Sequence, residues 1–386
     1  MIKMLFAHTA EIDNVDEALS QIHNQLDAEG RLLRHSVGIL YYYSDFALTG
    51  VVQKLCSRFD FPIVGGTTSN SAVPDSGENM NLTLTILTSD DCTFSAGVSD
   101  PLNQDPFVPM EKLYRQLAGD AGEKPSLFFI MTPHLMEVTG DDYLAALNSL
   151  SGGVPVFGSA AFTHTVDFTD VKTCFNGVEY KDRLALIAFR GNLHPRFFCS
   201  VIPEERMIHQ RAFITDSYKN RIRKINGIPA VQYLESVGLS EDGKLPGIAT
   251  FPLIVYTGDG SRLIRTIFKN EGEELLCSGS MPVHTSLGIS FCDREFVIES
   301  AKKTAQEYTR AAAAGEAGGL ALIISCAARR WTLGSDAYAE IRAIDSGFGN
   351  LPYHFAYSLG EFCPMVNSGG KTANCFLNYS LSVCII

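Results

Sequence analysis

Three times along this chain an apolar run of strand length is followed by a stretch with one apolar face, and then by a short run that opens on proline. The prolines sit in Phe61-Pro62-Ile63, Val154-Pro155-Val156 and Leu351-Pro352-Tyr353, and each copy leads into a polar turn. Repetition of this kind marks one supersecondary unit used more than once, here strand, helix, strand.

In the first unit residues 36–43 form the apolar strand. Ser44 and Asp45 offer capping oxygens to a helix over residues 46–59, where Val51, Val52, Leu55 and Phe59 share a face. Pro62 ends that helix because it has no N–H to give, and a strand runs on to Thr67. Residues 82–87 and 93–98 read as a hairpin turning at Thr88-Ser89-Asp90-Asp91. The second unit repeats the order with a strand over 127–131 and a helix over 139–150, its Tyr143, Leu144, Leu147 and Leu150 on one side. A strand then starts at Pro155, and residues 184–189 and 197–202 form a second hairpin through Arg190-Gly191-Asn192. The third unit has a flexible lead-in, Glu316-Ala317-Gly318-Gly319. Its elements are a strand over 320–325, a helix over 336–344, a strand over 352–358 and a final strand-like stretch over 374–385.

Between the second and third units the texture changes. A short hairpin is expected around Lys219-Asn220, and Asn226-Gly227 turns into a helix with Pro229 at its first position and Gly238 closing it. Residues 252–256, 261–268 and 288–292 are strand-like, with a turn at Thr257-Gly258-Asp259-Gly260, and residues 295–314 make a further helix. The boundary falls near residues 220–226, giving two domains, 1–222 and 223–386. The fold class is α/β: mixed sheets covered by helices, in helix–sheet–sheet–helix layers.

Strands joined by a helical crossover lie parallel and end at one edge, which is where open α/β sheets bind ligands. That edge collects Ser44-Asp45 and Thr67-Thr68-Ser69, then Thr132-Pro133-His134 and residues 159–164, then residues 325–330 and 360–362. The third set is chemically the richest, with Ser325, Cys326, Arg329, Gly360 and Glu361. Arg329 and Glu361 are expected to converge there, Arg329 forking onto a carboxylate ligand. A purely structural ion pair at the sheet edge is the competing reading.

Hydrophobic residues make up 46% of the 386 and charged residues 19%, enough apolar matter for a large core, and the formal net charge of -12 makes nucleic acid a poor partner. The first residues lack the pattern of a signal peptide, and no run approaches the roughly 18 apolar residues of a spanning helix. Without an export signal the ten cysteines read as reduced and buried, and the compartment as cytoplasmic.

Ser325-Cys326-Ala327-Ala328-Arg329, then Pro352, Gly360-Glu361 and Leu377-Asn378-Tyr379-Ser380, resemble the C-terminal half of FIST-domain proteins (F-box and intracellular signal transduction). Asn226-Gly227-Ile228-Pro229-Ala230 with Tyr233-Leu234 resembles the opening of that half, and Arg265 stands where the family has an arginine. Val37-Gly38-Ile39-Leu40, Pro62-Ile63-Val64-Gly65 and the run to Gly97 resemble the N-terminal half. Two departures stand out: residues 66–71 lack the Gly-Glu pair that often follows the first proline strand, and Ala328 replaces a usual glycine. The resemblance implies a sensory module that binds a small ligand, such as an amino acid or another small carboxylate, and acts through a separate signalling output partner. Ser325, Cys326, Arg329, Gly360 and Glu361 are its expected ligand residues, with Arg265 and Asn378 beside them. No cofactor is expected. The alternative is haem, since some members resemble nitric-oxide sensors that carry it. Among His8, His23, His35, His134, His164, His209, His284 and His354, the first choices for a proximal ligand are His134 and His164.

Two other chemistries stay in view. Cys326, followed by Arg329 and Arg330, is a candidate nucleophile, with Arg329 as anion anchor, set against a packed cysteine. An adaptor that presents its units to a partner is the third possibility. No Cys-x-x-Cys, His-Glu-x-x-His or Gly-x-Ser-x-Gly occurs, so metal ligation and a serine elbow have no sequence support. Gly347-Phe348-Gly349 reads as a helix stop rather than a phosphate loop. Trp331 and Tyr338 are candidates for an apolar pocket wall.

Overall fold

The computed structural model describes residues 2–386 except 28–29, 78–79, 103–104, 119–123, 165–167, 209–210, 242–244, 246–250, 259, 314–318 and 350. His209, Asp259, Ala314 and the 316–318 lead-in lie outside the described residues. The first part of the chain forms β1 (Lys3–Thr9), α1 (Val15–Leu26), β2 (His35–Tyr42), α2 (Asp45–Leu48), α3 (Val51–Cys56), β3 (Ile63–Thr67), β4 (Ser71–Ala72), β5 (Leu82–Ser89) and β6 (Thr93–Val98). The next part forms α4 (Phe107–Ala118), β7 (Leu127–Thr132), α5 (Gly140–Ser151), β8 (Val156–Ala160), β9 (Thr173–Phe175), β10 (Val178–Tyr180), β11 (Ala185–Arg190) and β12 (Arg196–Ser200). A third stretch supplies β13 (Ala212–Tyr218), β14 (Arg221–Ile225), β15 (Ile228–Pro229), α6 (Ala230–Ser236), β16 (Leu253–Tyr256), β17 (Arg262–Arg265), β18 (Ile267–Glu271), β19 (Glu274–Cys277) and β20 (Ser286–Ile289). The last part holds α7 (Arg294–Ala313), β21 (Ala321–Cys326), α8 (Ala327–Leu333), α9 (Ala339–Phe348), β22 (Tyr353–Ser358), β23 (Gly360–Val366), β24 (Thr372–Leu377) and β25 (Leu381–Ile385).

The expected crossovers are present: β2 and β3, β7 and β8, and β21 and β22 pair in parallel. An antiparallel strand flanks the first member of each pair, β5 on β2, β11 on β7 and β25 on β21. The edges are then filled from elsewhere in the chain. β1 lies on β5, β6 on β11 and β12 on β25, while β9 lies on β3, β23 on β8 and β4 on β22. The fourth sheet is antiparallel, in the order β17-β16-β20-β13-β14-β19-β18, with β15 on β14.

This exchange corrects both expected hairpins. β5 already has β1 and β2 on its two sides, so β6 crosses to the sheet of β11; β11 is likewise filled by β6 and β7, and β12 crosses to β25. Each joint is turn-like, but a strand with both ladders occupied has no edge to offer. The helix expected over 46–59 is broken in two at Gly50, which has φ +85°. The final stretch is also broken, between β24 and β25, where Tyr379 takes φ 54°.

One face of each of the first three sheets contributes to a shared apolar core, Ile39 and Tyr41 from the first, Phe129 and Phe157 from the second, Leu322 and Ile324 from the third. Helices cover the other faces: α1 and α3 the first, α4 and α5 the second, α7 and α9 the third. Gly158 permits the tight join of β8 to β7, since at φ +149° a Cβ there would lie 2.0 Å from the Ile130 carbonyl oxygen. Among the described residues no helix is long and apolar enough to cross a membrane.

Candidate functional site

The third-unit residues are held together differently from the expected arrangement. Residues 327–333 are helical rather than loop, and α8 turns the Arg329 side chain toward α9 and α7. Arg329 Nε and Nη2 donate to Glu340 Oε1 at 2.8 and 2.6 Å, and Nη2 also donates to Ser300 Oγ at 2.9 Å. Ser325 Oγ donates to the other Glu340 oxygen at 2.8 Å. Arg329, Glu340 and Ser325 are all fully buried. Burial works against the Arg329 charge, and the Glu340 carboxylate outweighs it.

Arg329 therefore pairs with Glu340, not with Glu361. Glu361 accepts from Ser358 Oγ and Ser380 Oγ, both at 2.7 Å, and forms no ion pair among the described residues. Burial pushes its carboxyl up to about 8, against the pull of the Ser380 and Ser358 hydroxyls. The expectation that flanking arginines activate Cys326 is corrected too. Its thiol is pushed well above the usual range, first by burial and then by Glu361, and Arg329 opposes this only weakly. Trp331 lies against Phe162, with ring centroids 5.5 Å apart.

A cavity lies at the carboxyl ends of β7 and β8 instead. Pro133 cannot extend the ladder beyond Thr132, so the chain leaves the sheet and returns through a bridge between Leu135 and Val138 to the start of α5. Thr139 and Asp142 then form a capping box that fixes the first turn of that helix. The cavity between these segments measures about 30 Å³ as space open to the centre of a water, room for about two waters. Thr132, His134 and Tyr143 line one side, and Asn220, Phe268, Ser278 and Phe376 another.

Thr132 Oγ1, His134 Nε2 and Tyr143 Oη are buried and have no hydrogen-bond partner among the described residues. A buried polar atom left unpaired costs about 1–3 kcal/mol. Three around one cavity are groups that a water or a small polar molecule would satisfy. Burial holds His134 down to about 4, so its ring is neutral near pH 7, and the ring sits against Phe168 and Phe268. Tyr143 is pushed upward by burial and then by Asp142, so its hydroxyl stays protonated.

Arg265, Asn378 and Gly360 support the far wall. Arg265 is fully buried, and it grips Asp141 of α5 through Nη2 at 2.7 and 2.9 Å. Its Nη1 donates to the Phe376 carbonyl at 2.8 Å. Asn378 accepts from Ser278 Oγ at 2.7 Å and donates to the Leu359 carbonyl at 3.0 Å. The Phe376 ring fills the space where side chains would stand at Gly140 and Gly360, at 2.1 and 2.2 Å from an added Cβ. Of the anticipated residues, then, Arg265, Asn378 and Gly360 brace this cavity, while Ser325, Arg329 and Glu361 are buried in hydrogen-bond networks elsewhere and Cys326 is packed in an apolar cluster. Phe268, Phe376, Ser278 and Asn220 were not anticipated. They come from distant segments and carry no local motif.

The histidines favoured for haem do not fit that group. His134 faces a cavity of about 30 Å³, and His164 is exposed, its ring stacked on Tyr43 at 4.6 Å. Among the described residues no cluster of three or more His, Cys, Asp or Glu is placed to hold a metal ion.

No curated protein matches the sequence. Among solved structures, a cyanuric acid hydrolase from A. caulinodans is similar over 49% of this chain and 71% of its own, at 11% identity and a TM-score of 0.24, a likeness too slight to carry an argument. The FIST N domain model matches residues 36–228, and the FIST C domain model matches residues 230–364. Together the two spans take in nearly the whole described chain, so the protein belongs to the FIST family.

Proposed function

We propose that this protein is a small-ligand-binding signalling domain whose ligand sits in the cavity between Thr132, His134, Tyr143, Phe268 and Phe376, and which acts through a separate output partner. FIST domains are generally described as small-ligand-binding signalling domains, and that description supports the class. The single observation that carries the site is the set of three unpartnered buried polar atoms around one cavity. The position of the cavity supports the signalling part. Its walls come from β7 and α5 on one side and from β18 and β24 on the other, so a bound molecule touches segments more than 100 residues apart in sequence. An amino acid or another small carboxylate is the ligand that the family suggests.

The test is a thermal-shift panel of amino acids, small carboxylates and uncharged compounds, with mass spectrometry of whatever co-purifies. A compound bound only by the folded chain raises the midpoint. The doubly substituted Thr132→Val, Tyr143→Phe chain is expected to melt cooperatively and to lose the response. A response that persists undiminished there places the ligand elsewhere and defeats the proposal.

A further inference from the structure

Among the described residues fourteen line the cavity, and none of these is Asp, Glu, Lys or Arg. Its one ionisable imidazole, His134, stays neutral because burial disfavours the charged ring. Arg265, the cation behind the far wall, is already committed. Arg265 spends Nε on the Ser280 carbonyl, Nη1 on the Ile264 and Phe376 carbonyls, and Nη2 on both Asp141 oxygens, which uses all five of its N–H donors. Asp141 in turn accepts from the Ser280 N–H at 2.8 Å, and Asp142 is held by Thr139.

An ion entering this space would shed its hydration and meet no charged side chain among the described residues that line it, a penalty of several kcal/mol. The groups that do wait there are two hydroxyls, each able to donate and accept, and one imidazole nitrogen. Phe268, Leu359 and Phe376 supply the apolar remainder. The volume limits the occupant to a few heavy atoms.

We infer that the cavity takes a small uncharged molecule that both donates and accepts hydrogen bonds, a primary amide being the fitting class, and that it rejects ions of the same shape. This rests on the cavity being the ligand site. It departs from the carboxylate that the family suggests.

The experiment compares three near-isosteric probes that differ in charge: acetamide, acetate and acetamidinium. Each is titrated at constant ionic strength into the full chain carrying ¹³C-labelled histidine, with the His134 signal assigned by its loss in His134→Gln. Acetamide is expected to move that signal saturably, and both ions to bind at least about tenfold more weakly. Tyr143→Phe and Thr132→Val, tested singly in chains that still melt cooperatively, are each expected to weaken acetamide by about three- to tenfold, the worth of one hydrogen bond. Acetate or acetamidinium saturating the His134 signal as tightly as acetamide overturns the inference about charge and leaves the cavity as a ligand site. If none of the three probes moves the His134 signal, both the inference and the site fail.

Discussion

Arg265 reaches from the end of β17 to Asp141 in the first turn of α5, and the two form a bidentate ion pair 124 residues apart in sequence. Arg265 is fully buried, while the Asp141 side chain keeps 24% of its surface. The pair ties the fourth sheet to the helix that carries Tyr143.

Removing one member of such a pair strands the other charge. Asp141→Ala is expected to lower the unfolding free energy by about 3 kcal/mol, read from urea denaturation. A loss below about 1 kcal/mol, the value of a surface pair, contradicts the buried geometry.

Arg329→Ala is expected to act on the fold. It leaves Glu340 buried without its cation, at a cost of about 3–5 kcal/mol, and it removes the bond to Ser300. Chemical denaturation measures the loss, and any ligand response that survives in the folded fraction should keep its midpoint concentration. A well-folded Arg329→Ala chain that no longer responds to any ligand would return the site to the third unit.

Glu361 gives a pH dependence of definite sign. An unfolded carboxyl titrates near 4.5 and the native one at about 8, so between these values the native state holds the extra proton. The contribution of Glu361 is present in full below pH 4.5 and is lost as pH rises through 8, with a slope of about 1.4 kcal/mol per pH unit. The groups facing it include the Ser358 and Ser380 hydroxyls and the Cys199 and Cys326 thiols. Glu361→Gln should abolish this slope. Parallel stability curves for the two proteins from pH 5 to 8 would show that Glu361 is ionised in the fold.

Tyr143→Phe removes a buried hydroxyl that has no hydrogen-bond partner among the described residues. It is expected to stabilise the unliganded chain by about 1 kcal/mol, raising its melting midpoint, while weakening the ligand response. A destabilised variant would mean that the hydroxyl is already satisfied.

Cysteine reactivity separates an enzyme from a binding module. Cys199 is the partly exposed cysteine of the ten, and its thiol is drawn downward, first by a hydrogen bond from Cys363. Iodoacetamide near neutral pH is expected to label Cys199 first and to leave Cys326 intact until the chain unfolds, as mapped by peptide mass spectrometry. Prompt labelling of Cys326 in the folded protein would revive the nucleophile.

The parallel pairs were legible because an apolar run, an amphipathic stretch and a proline-opened run are local signals. Strand partners were not, because Thr93–Val98 looks the same whether it folds back on β5 or crosses to β11; only the occupied edges of β5 decide it. The α8 helix was legible in principle, since Ala327, Ala328, Arg329 and Arg330 all favour helix. Once it forms, Glu340 rather than Glu361 comes within reach of Arg329. At the candidate site, Thr132, His134 and Tyr143 stood out as a strand end and a helix face. Phe268, Phe376 and Asn220 were silent, because only the packed chain brings them to the same cavity.

The trading of strands among the first three sheets has a bearing on how the chain comes apart. Cutting after residue 228 would take β23 away from β8 and β25 away from β12, and would leave each fragment with bare, adhesive ladders. Neither fragment would be a well-behaved protein by itself. Produced together, they carry matching unfilled edges and are suited to reassemble like the two parts of a split reporter.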